Sequence, residues 1–150
     1  MLILKGALAN VNKEVSNDQL LDFLSEKLPE SEIYKLSPRP GMVINAAIDW
    51  QIILSTASIV TVAQVIWTAY KKFIVPVREN GNDRAFLFIT IENHNKEFKQ
   101  FPIGEQFKDE EEFVKKFTEE IQKIKIASRH EDVELELSQL RDSDIWEKFQ

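Results

Sequence analysis

The hydrophobic pattern of this chain changes period several times, and each change marks an element. Leu2 to Leu8 is short and apolar and predicts an opening strand. Ser16 then precedes Gln19 at capping-box spacing, with Leu20, Leu21, Leu24 and Leu28 following on one helical face. Residues 17–28 therefore predict an amphipathic helix that ends near Pro29. Ser31 to Leu36 alternates as a second strand. Ser37-Pro38-Arg39-Pro40-Gly41 is a loop, because the prolines remove backbone donors and the glycine frees the chain.

The next stretch dominates the sequence. WQIILSTASIVTVAQVIWTAY, from Trp50 to Tyr70, carries no charge and lies between Asp49 and Lys71-Lys72. As a helix its roughly 21 residues would match the ~30 Å hydrocarbon layer of a bilayer, and it would serve equally as the central helix of a small domain. A long apolar helix is predicted from about Val43, stopping by Pro76. Within it Gln51, Ser55, Ser58, Thr61, Gln64 and Thr68 recur every three or four positions, a polar seam on an otherwise apolar cylinder. A span through 50–70 is the less favoured reading: Gln64 would sit toward mid-bilayer, and a membrane would separate the two halves of one sheet.

Downstream, Arg78 to Arg84 is a polar loop around Gly81, and Ala85 to Ile91 predicts a central strand, apolar on both faces. His94-Asn95 marks a turn, with Glu97 to Ile103 returning as an antiparallel partner. Asp109 and Glu112 form a second capping box, ahead of a helix over 110–126 with Phe113, Phe117, Ile121 and Ile124 on one stripe. In the tail, Val133, Leu135 and Leu137 alternate as an edge strand, and Ile145, Trp146 and Phe149 suggest a short helix. The fold class that follows is α+β: a small mixed sheet in the order β-α-β, long helix, β-hairpin, helix, with helices packed on one face. Residues 1–126 form the domain, and 127–150 extend it.

Composition narrows the classes. A hydrophobic fraction of 43% excludes disorder throughout, and the absence of cysteine removes thiol nucleophiles, thiolate metal sites and disulfides. The formal net charge of −6 argues against general nucleic-acid binding, which needs clustered Lys and Arg. The first residues lack the pattern of a secretory signal, so the expected location is cytoplasmic.

No catalytic constellation can be written. His94 and His130 are isolated, and His130-Glu131-Asp132 are sequence neighbours that point apart on any regular element. The glycines are too widely spaced for a phosphate-cradling loop. Asp109 to Glu112 is explained by the positive end of a helix dipole. Glu131, Asp132, Glu134 and Glu136 form a solvated edge or, alternatively, a docking face for a basic partner. No metal or cofactor is expected.

The opening strand and helix, the SPRPGM loop (37–42), the long helix ending in Trp67-x-x-Tyr70-Lys71-Lys72, the hairpin and the last helix together resemble the effector-associated constant component, a small adaptor domain of bacterial conflict systems. The resemblance covers roughly 1–126. It implies a non-catalytic adaptor that couples sensing and effector modules.

A helix apolar on nearly every side must be covered on nearly every side. The expected function is therefore non-enzymatic protein interaction, with a protein partner or a second copy against the long helix. The candidate contact residues are Arg39, Pro40, Gln51, Ser55, Ser58, Gln64 and Trp67. The alternatives are an immunity-type inhibitor that uses the acidic surface, and a membrane-anchored protein spanning through residues 50–70.

Overall fold

The computed structural model describes residues 2–9, 16–36, 49–54, 58–82, 84–92, 98–103, 106–123, 135, 138–143 and 145–149. Its elements are β1 (Leu2–Ala9), α1 (Asn17–Lys27), β2 (Glu32–Leu36), β3 (Trp50–Leu54), α2 (Ile59–Phe73), α3 (Val75–Glu79), β4 (Phe86–Glu92), β5 (Phe98–Ile103), α4 (Glu110–Gln122) and β6 (Trp146–Lys148). The fold is α+β, with one six-stranded sheet in the order β5-β4-β1-β3-β2-β6.

The apolar run does not form one helix. Trp50–Leu54 is a strand with all five residues buried, and α2 begins only at Ile59. Five apolar or uncharged residues covered on both faces suit the middle of a sheet, where β-branched Ile52 and Ile53 fit the pleat. Ser58, in extended conformation, then starts the helix. At about 1.5 Å per residue, α2 rises only about 22 Å over its 15 residues. No helix among the described residues is long and apolar enough to cross a membrane.

β3 also explains why the sheet is not mixed. It pairs antiparallel with β1 on one side and with β2 on the other. β1 and β2 thus run parallel, as a β-α-β unit requires, but β3 separates them and every described ladder is antiparallel. From β1 to β4, setting aside the one-and-a-half-turn α3, the order is β-α-β-β-α-β with strands arranged β4-β1-β3-β2. This is the split β-α-β topology of ferredoxin-like domains. β5 and β6 extend the sheet at its two ends.

Alternation along the strands separates two cores. Leu4, Leu8, Ile33, Trp50, Ile52, Leu87, Ile89 and Ile91 meet the helices. α1 contributes Leu20, Leu21, Phe23 and Leu24, while α2 contributes Val62, Ala63, Ile66, Trp67, Ala69 and Tyr70. α4 brings Phe113, Phe117 and Ile121. α2 touches both other long helices. Its contact with α4 is aromatic: Trp67 stacks on Phe113 at 5.5 Å between centroids, and Phe107 and Phe117 meet the same ring at 5.2 and 5.6 Å. Offset or edge contacts at these separations add about 0.5–1.5 kcal/mol each beyond burial.

The capping box expected at α1 is formed in full, and the one expected at α4 only by half. The Ser16 hydroxyl accepts from Gln19 N–H, and the Gln19 side chain accepts from Ser16 N–H, both at 3.2 Å. Asp109 accepts from Glu112 N–H at 2.9 Å, whereas the Glu112 carboxylate reaches Lys108 N–H rather than that of Asp109. Ser58 makes no side-chain cap.

The tail reverses its expected order. Leu135 is helical rather than part of an edge strand, with Val133 and Leu137 outside the described residues; residues 138–141 are helical, and the edge strand is Trp146–Lys148 rather than a terminal helix. Antiparallel pairing with β2 claims these residues, in the register Tyr34↔Lys148, Lys35↔Glu147 and Leu36↔Trp146. The Ser143 hydroxyl accepts from the N–H groups of Ile145 and Trp146 at 3.2 Å and turns the chain into the strand. On the sheet face opposite the long helices, Leu140 closes a smaller core with Ile3, Tyr34 and Ile53, and Trp146 packs beside it.

Candidate functional site

The residues singled out from the sequence separate into three groups. Arg39, Pro40 and Ser55 lie outside the described residues, as do His94, His130, Glu131, Asp132, Glu134 and Glu136. Gln51 and Trp67 are buried, with 7% and 8% of their surface exposed. Gln51 lies on β3 rather than on a helix, and Trp67 is committed to the α4 contact. Ser58 and Gln64 are exposed and share one face with Thr61 and Thr68.

Helical geometry explains that face. The buried positions of α2, at 62, 63, 66, 67, 69 and 70, turn toward the sheet and the neighbouring helices. Positions 58, 61, 64 and 68 are then carried outward. The seam read from the sequence is real over this stretch and marks the solvent side. Thr68 Oγ1 donates to the Gln64 carbonyl at 2.9 Å, so that hydroxyl is partly satisfied by its own helix. Val60 was not among the expected contact residues, yet it is 44% exposed on the same side. Its signal was present: apolar at a position where the helix repeat places Gln64 and Thr68 one and two turns on. The outer face is therefore wholly uncharged from Ser58 to Thr68, in a chain with 29% charged residues. Charge returns at Lys71 and Lys72, the latter lying 5.1 Å from the Phe23 ring centroid.

A second grouping was invisible to sequence reasoning, since its members lie far apart in the chain, Arg141 being 109 positions from Glu32. Glu32 Oε1 receives Arg141 at 2.9 Å and lies 3.9 Å from Lys148 Nζ, while Glu32 Oε2 accepts from the Tyr34 hydroxyl at 3.1 Å. Burial pushes the Glu32 carboxyl up, but the hydrogen bonds from Arg141 and Tyr34 and the two cationic charges outweigh it, leaving the pKa below the ordinary glutamate value. Burial, helped by the Glu32 carboxylate, raises that of Tyr34. The cluster ties the tail to the sheet.

The register also lines up Gln100, Thr90, Lys5, Gln51, Tyr34 and Lys148 in one row across all six strands on the second face. RNA-recognition domains built on a four-stranded sheet stack bases on aromatic side chains. Here the two central strands, β1 and β3, offer Ile3, Lys5, Ala7, Gln51 and Ile53 on that face, and Leu140 lies over the two isoleucines.

The concave spaces differ in kind. Within the main core, a cavity of about 10 Å³ lies among Leu4, Leu20, Leu24, Trp50, Ile66 and Ile89. That is at the lower limit for one water, and its lining is apolar. Open depressions of about 380 Å³ beside α4, at Phe107, Lys115 and Lys116, and 340 Å³ at Tyr70, Val75 and Arg78 lie at the surface. Among the described residues no cluster of three or more metal-ligating side chains converges. Comparison with protein-family models, curated proteins and solved structures finds no match.

Proposed function

We propose that this chain is a non-enzymatic protein-interaction domain whose contact surface is the outer face of α2. The carrying observation is the uncharged strip of Ser58, Val60, Thr61, Gln64 and Thr68, exposed beside a buried core that fixes the helix in place. Protein interfaces are depleted of charge at their centres, and a rigid helix face loses little entropy on docking. Lys71 and Lys72 at one end of the strip supply a charged rim.

An adaptor role in a bacterial conflict system is the finer form of this reading. It is supported by the resemblance in element order to the effector-associated constant component. β3, lying between the SPRPGM loop and the helix, alters the order on which that resemblance rests. Fold alone does not carry function, so the surface is the part to test.

A photo-crosslinking amino acid placed at Gln64 in the full chain, in host cells, is expected to trap a discrete protein. The same probe at Lys115, on exposed α4, serves as the control. Equal trapping from both positions would remove α2 as the contact surface.

A further inference from the structure

Among the described residues, a short run of contacts joins the tail to the second face of the sheet. Leu140 covers Ile3, Tyr34 and Ile53. Arg141 and Lys148 converge on Glu32. Phe149 N–H donates to the Ile33 carbonyl at 2.8 Å, and β6 itself is three residues long. Each of these contacts joins residues after 137 to residues before 55. The two cationic side chains are half exposed, at 51% and 54%, so solvent and salt screen them. Seated this way, the tail also leaves apolar surface uncovered: Leu135 is 59% exposed and Trp146 only half-buried.

We propose that residues 138–149 form an exchangeable strap whose second seat is the same site on another copy of the chain, giving a reciprocal strand-exchanged dimer. The occupant follows from complementarity already realised. The site consists of a space for Leu140, a carboxylate that receives two cations and a β2 edge with a defined register. A second copy presents the same groups in the same order, so exchange preserves each contact. What changes is only which copy supplies the strap. This dimer surface is separate from the outer face of α2.

Because the chain contains no cysteine, the test can be made covalent. Lys35 and Glu147 are register partners, and the Phe149-to-Ile33 hydrogen bond two residues along places them at a hydrogen-bonded pair. Such pairs hold their Cα atoms about 5.5 Å apart, within disulfide range. The full-length Lys35→Cys/Glu147→Cys variant is concentrated under reduction and separated by size exclusion with light scattering. Each peak is then oxidised and run on a non-reducing gel. The expected result is a dimer peak that grows with concentration and oxidises to a covalent dimer, beside a monomer peak that closes on itself. A chain that stays monomeric at millimolar concentration overturns the proposal. So does a dimer peak that oxidises only to monomers, which would place the contact on another surface such as α2. Should the paired change disturb folding, a mixture of full-length Lys35→Cys and Glu147→Cys chains carries the same test, with a covalent heterodimer expected and its absence overturning the idea.

Discussion

The indole of Trp50 lies directly over Gly6, its register partner on β1: a Cβ at residue 6 would come within 2.6 Å of the ring and 2.5 Å of the Phe88 carbonyl oxygen. No side chain fits between β3 and β4 at that point. Gly6→Ala is therefore expected to destabilise the domain by about 1–3 kcal/mol through forced overpacking, or to prevent folding. Urea unfolding of the single variant and of Gly6→Ala/Trp50→Leu checks the cause. The second change should relieve the ring clash but not the backbone one. Gly81, with φ +104 and nothing near its Cβ direction, provides the contrast. Ala there should cost about 1 kcal/mol, from backbone conformation alone.

Among the described residues the buried Trp50 Nε1 finds no hydrogen-bond partner. Trp50→Phe removes an unsatisfied donor along with some packing, and these oppose one another. A net loss below about 2 kcal/mol is expected, against roughly 3–5 kcal/mol for Trp50→Ala. Thermal unfolding of the two variants side by side measures the difference; equal losses would refute the compensation.

The Trp67–Phe113 stack joins α2 to α4. A double-mutant cycle with leucine at each position should return a coupling of about 0.5–1.5 kcal/mol. A coupling near zero would mean that burial alone holds these helices together.

Along α2, two neighbouring positions should answer in opposite ways. Gln64→Lys, on the outer face, is expected to change stability by less than about 0.5 kcal/mol. Ala63→Leu, fully buried, should cost roughly 1–3 kcal/mol. Chemical denaturation of both reports whether the uncharged strip is dispensable for folding, as a surface reserved for a partner must be.

Attachment of the tail should depend on pH through Glu32. Its pKa is depressed in the fold, so the stabilisation is fully present above the ordinary glutamate range and is lost as pH falls through the lowered value. The protection factor of the Phe149 amide, whose N–H bonds the Ile33 carbonyl, should fall on acidification once the intrinsic slowing of exchange at low pH is divided out. Glu32→Gln should flatten that dependence, and an unchanged profile in this variant would assign the effect to another group.

How far the fold could be read from the sequence varies from element to element. The Ser16–Gln19 box, the leucine face of α1 and the phenylalanine stripe of α4 are local signals, and each marks its element within a few residues. The region from Trp50 to Tyr70 defeats the same method. When nearly every position is apolar, periods of 2 and 3.6 cannot be distinguished, and only length and β-branching separate a buried strand from a helix. Gln51 happened to continue the spacing of Ser58, Thr61 and Gln64, which extended the seam into a strand. Losing β3 also hid the split β-α-β order, because β3 is the strand that separates β1 from β2. Of the candidate contact surface, Ser58 and Gln64 were legible from their spacing alone. The Glu32 cluster was not, because only the closed sheet brings residues 32, 34, 141 and 148 together.

The place of β1 in the sheet has a consequence for how the protein is made. Lys5 is flanked by Gln51 on one side and Thr90 on the other, both synthesised long after it. The central strand of the domain must wait for both of its neighbours, so the nascent chain cannot close its sheet until β4 has left the ribosome. Such long-range closure places folding toward the slow end of the scale, milliseconds or longer rather than microseconds. Until then α1 can form its capped turn and gather leucines, but it has no finished surface to rest on.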